Sequence, residues 1–133
     1  MINKINQTIE EHFSEMVEIR RYLHQHPELS FKEYKTAAFI ANYYENLGIP
    51  CRKNVGGNGV IATLTGGLPG KTIAFRADFD ALPIHDEKDV PYRSQVDGVM
   101  HACGHDGHTA ILLTLAKVLQ KFQDQLPGNV VFL

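Results

Sequence analysis

The sequence contains no apolar run long enough to cross a membrane. Its longest apolar stretch, Ala110 to Val118, is interrupted by Thr114 and Lys117, whereas a spanning helix needs about 20 apolar residues. The opening segment, MINKINQTIEEHF, is too polar for a secretory leader. Cysteine is scarce. Cys51 and Cys103 are the only two, and without a secretion signal they are expected as thiols rather than as a disulfide. An excess of one charge is missing too: 13 basic and 15 acidic residues give a net charge of −2. These charges are scattered, which argues against a nucleic-acid or anionic-membrane partner. There is no Gly-x-Ser-x-Gly elbow and no phosphate-binding loop, and Gly56, Gly57 and Gly59 lack the strand-to-helix setting of a dinucleotide site. No internal repeat or low-complexity segment is present. What is left is a soluble, cytoplasmic protein, with 133 residues of which 44% are hydrophobic and 21% charged, enough for one domain with its own core.

Periodicity outlines the elements. Ile5, Ile9, Phe13, Met16 and Leu23 recur at helical spacing, so residues 2–24 are expected as an amphipathic helix that Pro27 stops. Ser30 and Glu33 form a capping-box signature for a second helix, which carries Tyr34, Ala37, Ala38, Ile40, Ala41 and Tyr44 and ends at Gly48 and Pro50. Short strand-like runs follow at 51–55, 60–65 and 71–76, separated by glycine-rich turns. Residues 79–104 show no sustained period and read as a long loop, a feature that is usually functional in a compact domain. A helix from His108 to Phe122 and a strand from Asn129 to Leu133 complete the chain. Helices, then strands, a crossover helix and a further strand imply an α/β fold: three layers, α/β/α, around a mixed sheet. The chain stops within the apolar run Val130-Val131-Phe132-Leu133, so the fold is expected to be incomplete and the chain to be part of a longer protein.

Three clusters can carry chemistry. The densest is His101-Ala102-Cys103-Gly104-His105-Asp106-Gly107-His108. Thiolate and imidazole suit zinc and other borderline divalent metals. Cys103 and His105, two residues apart on a glycine-flanked turn, can face one ion, and His108 is expected to open the next helix. The second cluster, Arg76-Ala77-Asp78-Phe79-Asp80-Ala81-Leu82-Pro83, lies where an apolar strand emerges into the long loop. Sites in α/β proteins collect at the carboxyl ends of strands. Asp78 and Asp80 there can ligate a metal, orient a ligating imidazole or tune a base; equally, they can be a solvated strand end with an Asp-capped turn. The third cluster, Arg20-Arg21-Tyr22-Leu23-His24-Gln25-His26-Pro27-Glu28-Leu29, is accounted for by a helix end whose basic residues complement the helix dipole.

Together, the strings RRYLHQHPELSFKEY, FRADFDALPI and MHACGHDGHTAILL, in this order and across nearly all of residues 15–133, resemble the acylase and aminoacyl-amidohydrolase branch of the M20 metallopeptidase family. HACGHDGH is the most specific of them. The resemblance implies a site for two divalent ions, zinc or manganese, that hydrolyses the amide bond of N-acyl amino acids or related peptide-like substrates. It implies Cys103 and His105 as metal ligands and Asp80 as the aspartate supporting the metal centre. Asp78 stands where other branches carry a histidine ligand, which implies a supporting group. Family members continue from a strand like NVVFL into a segment with a general-base glutamate and a further ligand, then later histidines and an inserted dimerisation domain. Residues 1–133 are thus expected to be the N-terminal portion of a catalytic domain, inactive alone, from a parent that is a homodimer. Two other readings stand beside this one. One is a non-catalytic binding or assembly protein that keeps the fold. The other is a structural metal clip built from His101, Cys103, His105 and His108, whose separations of 2, 2 and 3 residues are tight for a closed four-ligand zinc site.

Overall fold

A computed structural model describes residues 2–133 of the protein. Helix α1 spans Ile2–Gln25 and helix α2 Tyr34–Asn46; strands β1 (Cys51–Val55), β2 (Gly59–Thr65) and β3 (Leu68–Phe75) follow. Helix α3 (His105–Gln120), a single 3₁₀ turn (Gln123–Gln125) and strand β4 (Pro127–Phe132) close the chain. The sheet order is β1-β2-β4-β3. β1 and β4 both run antiparallel to β2, and β3 runs parallel to β4. The sheet is therefore mixed, as expected, and the chain is an α/β fold. No helix among the described residues is long and apolar enough to cross a membrane.

The alternation in β2 and β4 decides which face is covered. Val60, Ala62 and Leu64 of β2 and Val130 and Phe132 of β4 point one way, into a single core with Ile19 and Leu23 of α1, Ile40, Ala41 and Tyr44 of α2, and Leu112, Leu113 and Ala116 of α3. Ile61, Thr63, Asn129 and Val131 point the other way and remain partly exposed, and every residue of β3 is exposed. The described residues thus build the sheet and one of the two expected helical layers.

Local detail departs from expectation in three places. The buried stripe of α1 runs through Met16, Ile19 and Leu23, whereas Ile9 and Phe13 face solvent; in the first half of the helix it is Thr8 that turns inward. α2 starts at Tyr34, and neither Ser30 nor Glu33 caps it. Phe31 adopts a left-handed φ of 64°, which breaks the chain between the two capping-box residues. The Glu28 carboxylate caps the helix instead, accepting the Lys35 and Thr36 N–H groups at 3.2 and 2.6 Å and so satisfying otherwise orphaned donors. At the other end Gly48 (φ 72°) terminates α2 with N–H bonds from Gly48 to the Glu45 carbonyl and from Ile49 to the Tyr44 carbonyl, a Schellman arrangement. Finally, α3 begins at His105 rather than His108, with Gly104 in the left-handed region (φ 86°) as the residue that turns the chain into it.

The long loop is confirmed. From Arg76 to Gly104 there is no helix or ladder strand, only isolated bridges joining Leu29 to Ala81 and Leu82 to Met100. Those bridges return the loop to its starting point, so that α3 begins beside the end of β3.

Candidate metal centre

The carboxyl end of β3 and the first turn of α3 meet at one place. Asp78 and Asp80 leave the strand, and the Thr109 hydroxyl of α3 donates to the Asp78 carbonyl at 3.0 Å, fastening that segment to the helix. His105 Nδ1 lies 2.8 Å from Asp80 Oδ1 and 3.1 Å from the Asp80 carbonyl oxygen. Both are acceptors, so Nδ1 is the donor, and in the neutral ring Nε2 presents its lone pair. That nitrogen faces Asp78 Oδ1 at 3.7 Å, and His108 Nδ1 faces the same oxygen at 3.9 Å.

These three ligand atoms, from Asp78, His105 and His108, lie within 4.8 Å of one another. An ion with bonds of about 2.1 Å to tetrahedral ligands sets them roughly 3.4 Å apart, so the observed spacing fits a metal after small movements. The carboxylate behind His105 adds to the fit, since ligating histidines characteristically donate their other N–H to a carboxylate or carbonyl. Asp78, Asp80, His105, Arg76 and Glu33 line a cleft of about 550 Å³, within the size range of small-molecule sites.

The remaining histidines and the thiol are placed differently. Cys103 is an exposed free thiol in the bend before Gly104, and its sulfur is outside the group formed by Asp78, His105 and His108. His101 is buried, with neither ring nitrogen hydrogen-bonded among the described residues. Burial holds its pKa below the usual imidazole range; His24 and His105 act in the same sense, and Asp106 and Asp80 oppose them. With His101 inside and Cys103 outside, residues 101–108 do not close into a four-ligand clip. Cys51 lies on β1 against α2, its sulfur 3.8 Å from the Ala41 carbonyl, and both cysteines are free.

A second cluster lies behind the first, and here the dipole account of the Arg20–Pro27 segment falls short. His24, Asp106 and Asp86 are buried to within 2% of complete. His24 Nδ1 is 2.7 Å from Asp106 Oδ2, and its Nε2 is 3.2 Å from Asp86 Oδ2. Arg20 Nε reaches Asp106 Oδ2 at 3.0 Å, and Lys88 Nζ reaches Asp86 Oδ1 at 2.6 Å. Burial raises the Asp86 pKa, but Lys88 and the backbone N–H groups of Ser94 and Lys88 outweigh it and hold the carboxyl well below the ordinary range. One signal was available in the sequence: His24 follows Leu23 on the buried side of α1, four residues after Arg20, where an unpaired polar ring is costly.

The sequence profile of peptidase family M20/M25/M40 matches residues 74–133, which include Asp78, Asp80, Cys103, His105 and His108. The Bacillus subtilis protein YhaA, provisionally named an amidohydrolase, is 64% identical over 130 residues, which is 98% of this chain and 33% of YhaA. The chain belongs to the M20 family. Thermostable carboxypeptidase 2 of Saccharolobus solfataricus is 43% identical over 131 residues, again 33% of its own length. Among solved structures, the M20 chain superposes with a TM-score of 0.95 on a protein from methicillin-resistant Staphylococcus aureus provisionally called an aminohydrolase. Identity there is 49%, over 99% of this chain and 34% of that one. The Bacillus subtilis YXEP protein, described as a dinuclear metal binding peptidase of the M20 family, matches with a TM-score of 0.87 and 42% identity, over 92% of this chain and 34% of that one. The chain therefore spans about a third of the length of the relatives it matches.

Proposed function

We propose that the full-length protein is a metal-dependent hydrolase of the amide bond in N-acyl amino acids or related peptide-like substrates. Its centre holds two divalent ions, zinc or manganese, with His105 and Cys103 as ligands and Asp78 and Asp80 supporting the centre. The observation that carries this reading is the Asp80–His105 hydrogen bond, which leaves His105 Nε2 free toward Asp78 at the wall of a cleft. Divalent ions bound there would supply Lewis acidity and lower the pKa of water toward neutrality. Asp80 fixes the tautomer and orientation of His105. Asp78 brings negative charge to the same point, and His108 adds a second imidazole on its exposed side. Cys103 is the soft donor of this segment, exposed one residue before the glycine that turns into α3. The chain spans about a third of the length of the relatives it matches, and residues 1–133 alone are proposed to be inactive. The relatives named as an amidohydrolase, a carboxypeptidase and a dinuclear metal binding peptidase support the assignment.

The test uses the gene's full-length product, stripped with a chelator and reloaded with zinc or manganese, on a panel of N-acetyl amino acids. Hydrolysis should vanish on stripping and return on loading, and His105→Ala and Cys103→Ala should lose metal and turnover together while Cys51→Ala keeps both. Unchanged metal content in both of the first two variants would refute the ligand assignment. Metal binding by the wild type with no turnover on any amide would favour a non-catalytic binding protein.

A further inference from the structure

We propose that His24 is a positioning residue for the metal centre, one imidazole that ties together the two chain segments from which the centre is built. The inference rests on the metal-centre reading above and adds to it a residue of α1 that does not touch the centre. Asp106 directly follows His105 on α3, and Asp86 lies in the loop that leaves Asp80. Thr109 and His105 join these segments at the centre itself; behind it, His24 joins them a second time, Nδ1 to Asp106 and Nε2 to Asp86.

Both carboxylates are held by other groups as well, so the link is stiff. Asp106 also meets Arg20 Nε and accepts the Gly107 N–H at 2.9 Å. Asp86 accepts from Lys88 Nζ and from the Ser94 N–H at 3.0 Å. The chain around the end of α1 fastens the same loop through its backbone. Ala81 N–H donates to the Glu28 carbonyl at 2.8 Å, and Gln95 N–H to the Gln25 carbonyl at 2.9 Å. The end of α1 is thus a post to which the Asp80 side and the His105 side are both tied.

Hydrogen-bond chemistry makes His24 hard to replace. A ring with a carboxylate oxygen on each nitrogen donates to both only as the doubly protonated cation. An amide or a hydroxyl at this depth cannot span both carboxylates with two donors. Without the tie, the Thr109–Asp78 and Asp80–His105 bonds remain, but the segments lose their interior restraint, and shifts of fractions of an ångström weaken a ligand that depends on its carboxylate for orientation.

A purely structural His24 would affect stability and leave metal affinity alone, and this separates the two roles. In the full-length protein, zinc affinity is measured by competition with a chromophoric chelator, well below the unfolding temperature of every variant. His24→Asn should bind zinc about 3- to 10-fold more weakly than wild type, less than the roughly 10- to 100-fold seen when a direct orienting partner of a metal ligand is lost. Ile40→Val, destabilised in the core of α2, should bind like wild type. Should His24→Asn fail to fold, Asp86→Asn decides instead. It keeps a side-chain acceptor but removes the charge that His24 Nε2 meets, which weakens the tie on the loop side only and should weaken zinc several-fold. Wild-type affinity in folded His24→Asn, or in Asp86→Asn, overturns the positioning role and leaves the metal centre standing. Absence of zinc binding in the wild type overturns the centre itself, and this inference with it.

Discussion

Replacing Asp80 isolates the contribution of one hydrogen bond to metal binding. The Asp80 carboxylate accepts from His105 Nδ1 at 2.8 Å, with the two side chains 26% and 17% exposed. A hydrogen bond to a charged group contributes about 1.5–3 kcal/mol, and partial exposure puts this one at the lower end. Because the Asp80 carbonyl oxygen also lies 3.1 Å from Nδ1, Asp80→Ala removes the charge-assisted partner and leaves a weaker acceptor in place. The His105 tautomer should therefore survive, and metal affinity should fall about tenfold, the equivalent of roughly 1.4 kcal/mol. Asp80→Asn keeps a side-chain acceptor and loses only the charge, so its loss should be about threefold. Calorimetric titration of the full-length protein with zinc gives the affinities, and ¹⁵N chemical shifts of the His105 ring report the tautomer. Wild-type affinity in Asp80→Ala would refute the orienting role. Equal losses in Asp80→Asn and Asp80→Ala would show that charge, not orientation, is what the centre requires.

Three further outcomes concern the scaffold. Leu113→Ala empties part of the core where the side chain is 1% exposed, and should cost about 2–5 kcal/mol by urea denaturation; a cost under about 1 kcal/mol would mean the core closes over the space. At Gly128, φ is 76° and an added methyl group would overlap the Lys71 carbonyl oxygen. Gly128→Ala should therefore lose more than about 3 kcal/mol, whereas Gly98→Ala, at φ 70° with open space around it, should lose only about 1 kcal/mol of backbone strain. Equal effects at the two glycines would contradict the steric account. Asp86 has a folded pKa held below its ordinary value, so its ionised form stabilises the fold above the unfolded pKa of about 3.9 and that contribution is lost as pH falls. The urea midpoint of Asp86→Asn should lie below that of wild type at pH 6, and the gap should narrow as pH drops under about 4. A gap that stays constant to pH 3 would show that Asp86 stabilises without being ionised.

Local signals were readable to the extent that their causes were local. β1 and β2 fall where glycine punctuation and alternation place them, because turn chemistry and burial pattern act within a few residues. The start of α3 was displaced by three residues: its first turn, His105-Asp106-Gly107-His108, carries no apolar period, and the capping conformation belongs to Gly104. The capping box failed because the backbone of Phe31 turns left-handed, and Glu28 supplies the cap from outside the motif. For the site, the Asp78–Asp80 and His105–His108 strings were visible because each is contiguous. What brings them together, and what backs them, was not visible. His24 meets Asp86 across 62 positions and Asp106 across 82, separations at which a histidine on a helix looks like any other. His108 was counted in the cluster, but its approach to Asp78 depends on the helix starting early enough to put it on the same side as His105.

The parallel pairing of β3 with β4 bears on the order in which this chain folds. β1 and β2 are neighbours in sequence and can zip as a hairpin within microseconds. β4, however, must come back past the long loop and all of α3 to lie beside β3, joining Thr72 to Asn129 and Phe75 to Phe132, and contacts so distant along the chain pay their closure entropy before any reward. The carboxyl end of β3 and the N-terminal turn of α3 frame that same crossover, so Asp78, Asp80 and His105 reach their working distances only once the crossover has closed. During synthesis the hairpin and the first two helices leave the ribosome before β4 does. The topology makes the centre a late product of folding, so an ion bound there would latch the finished crossover rather than seed it.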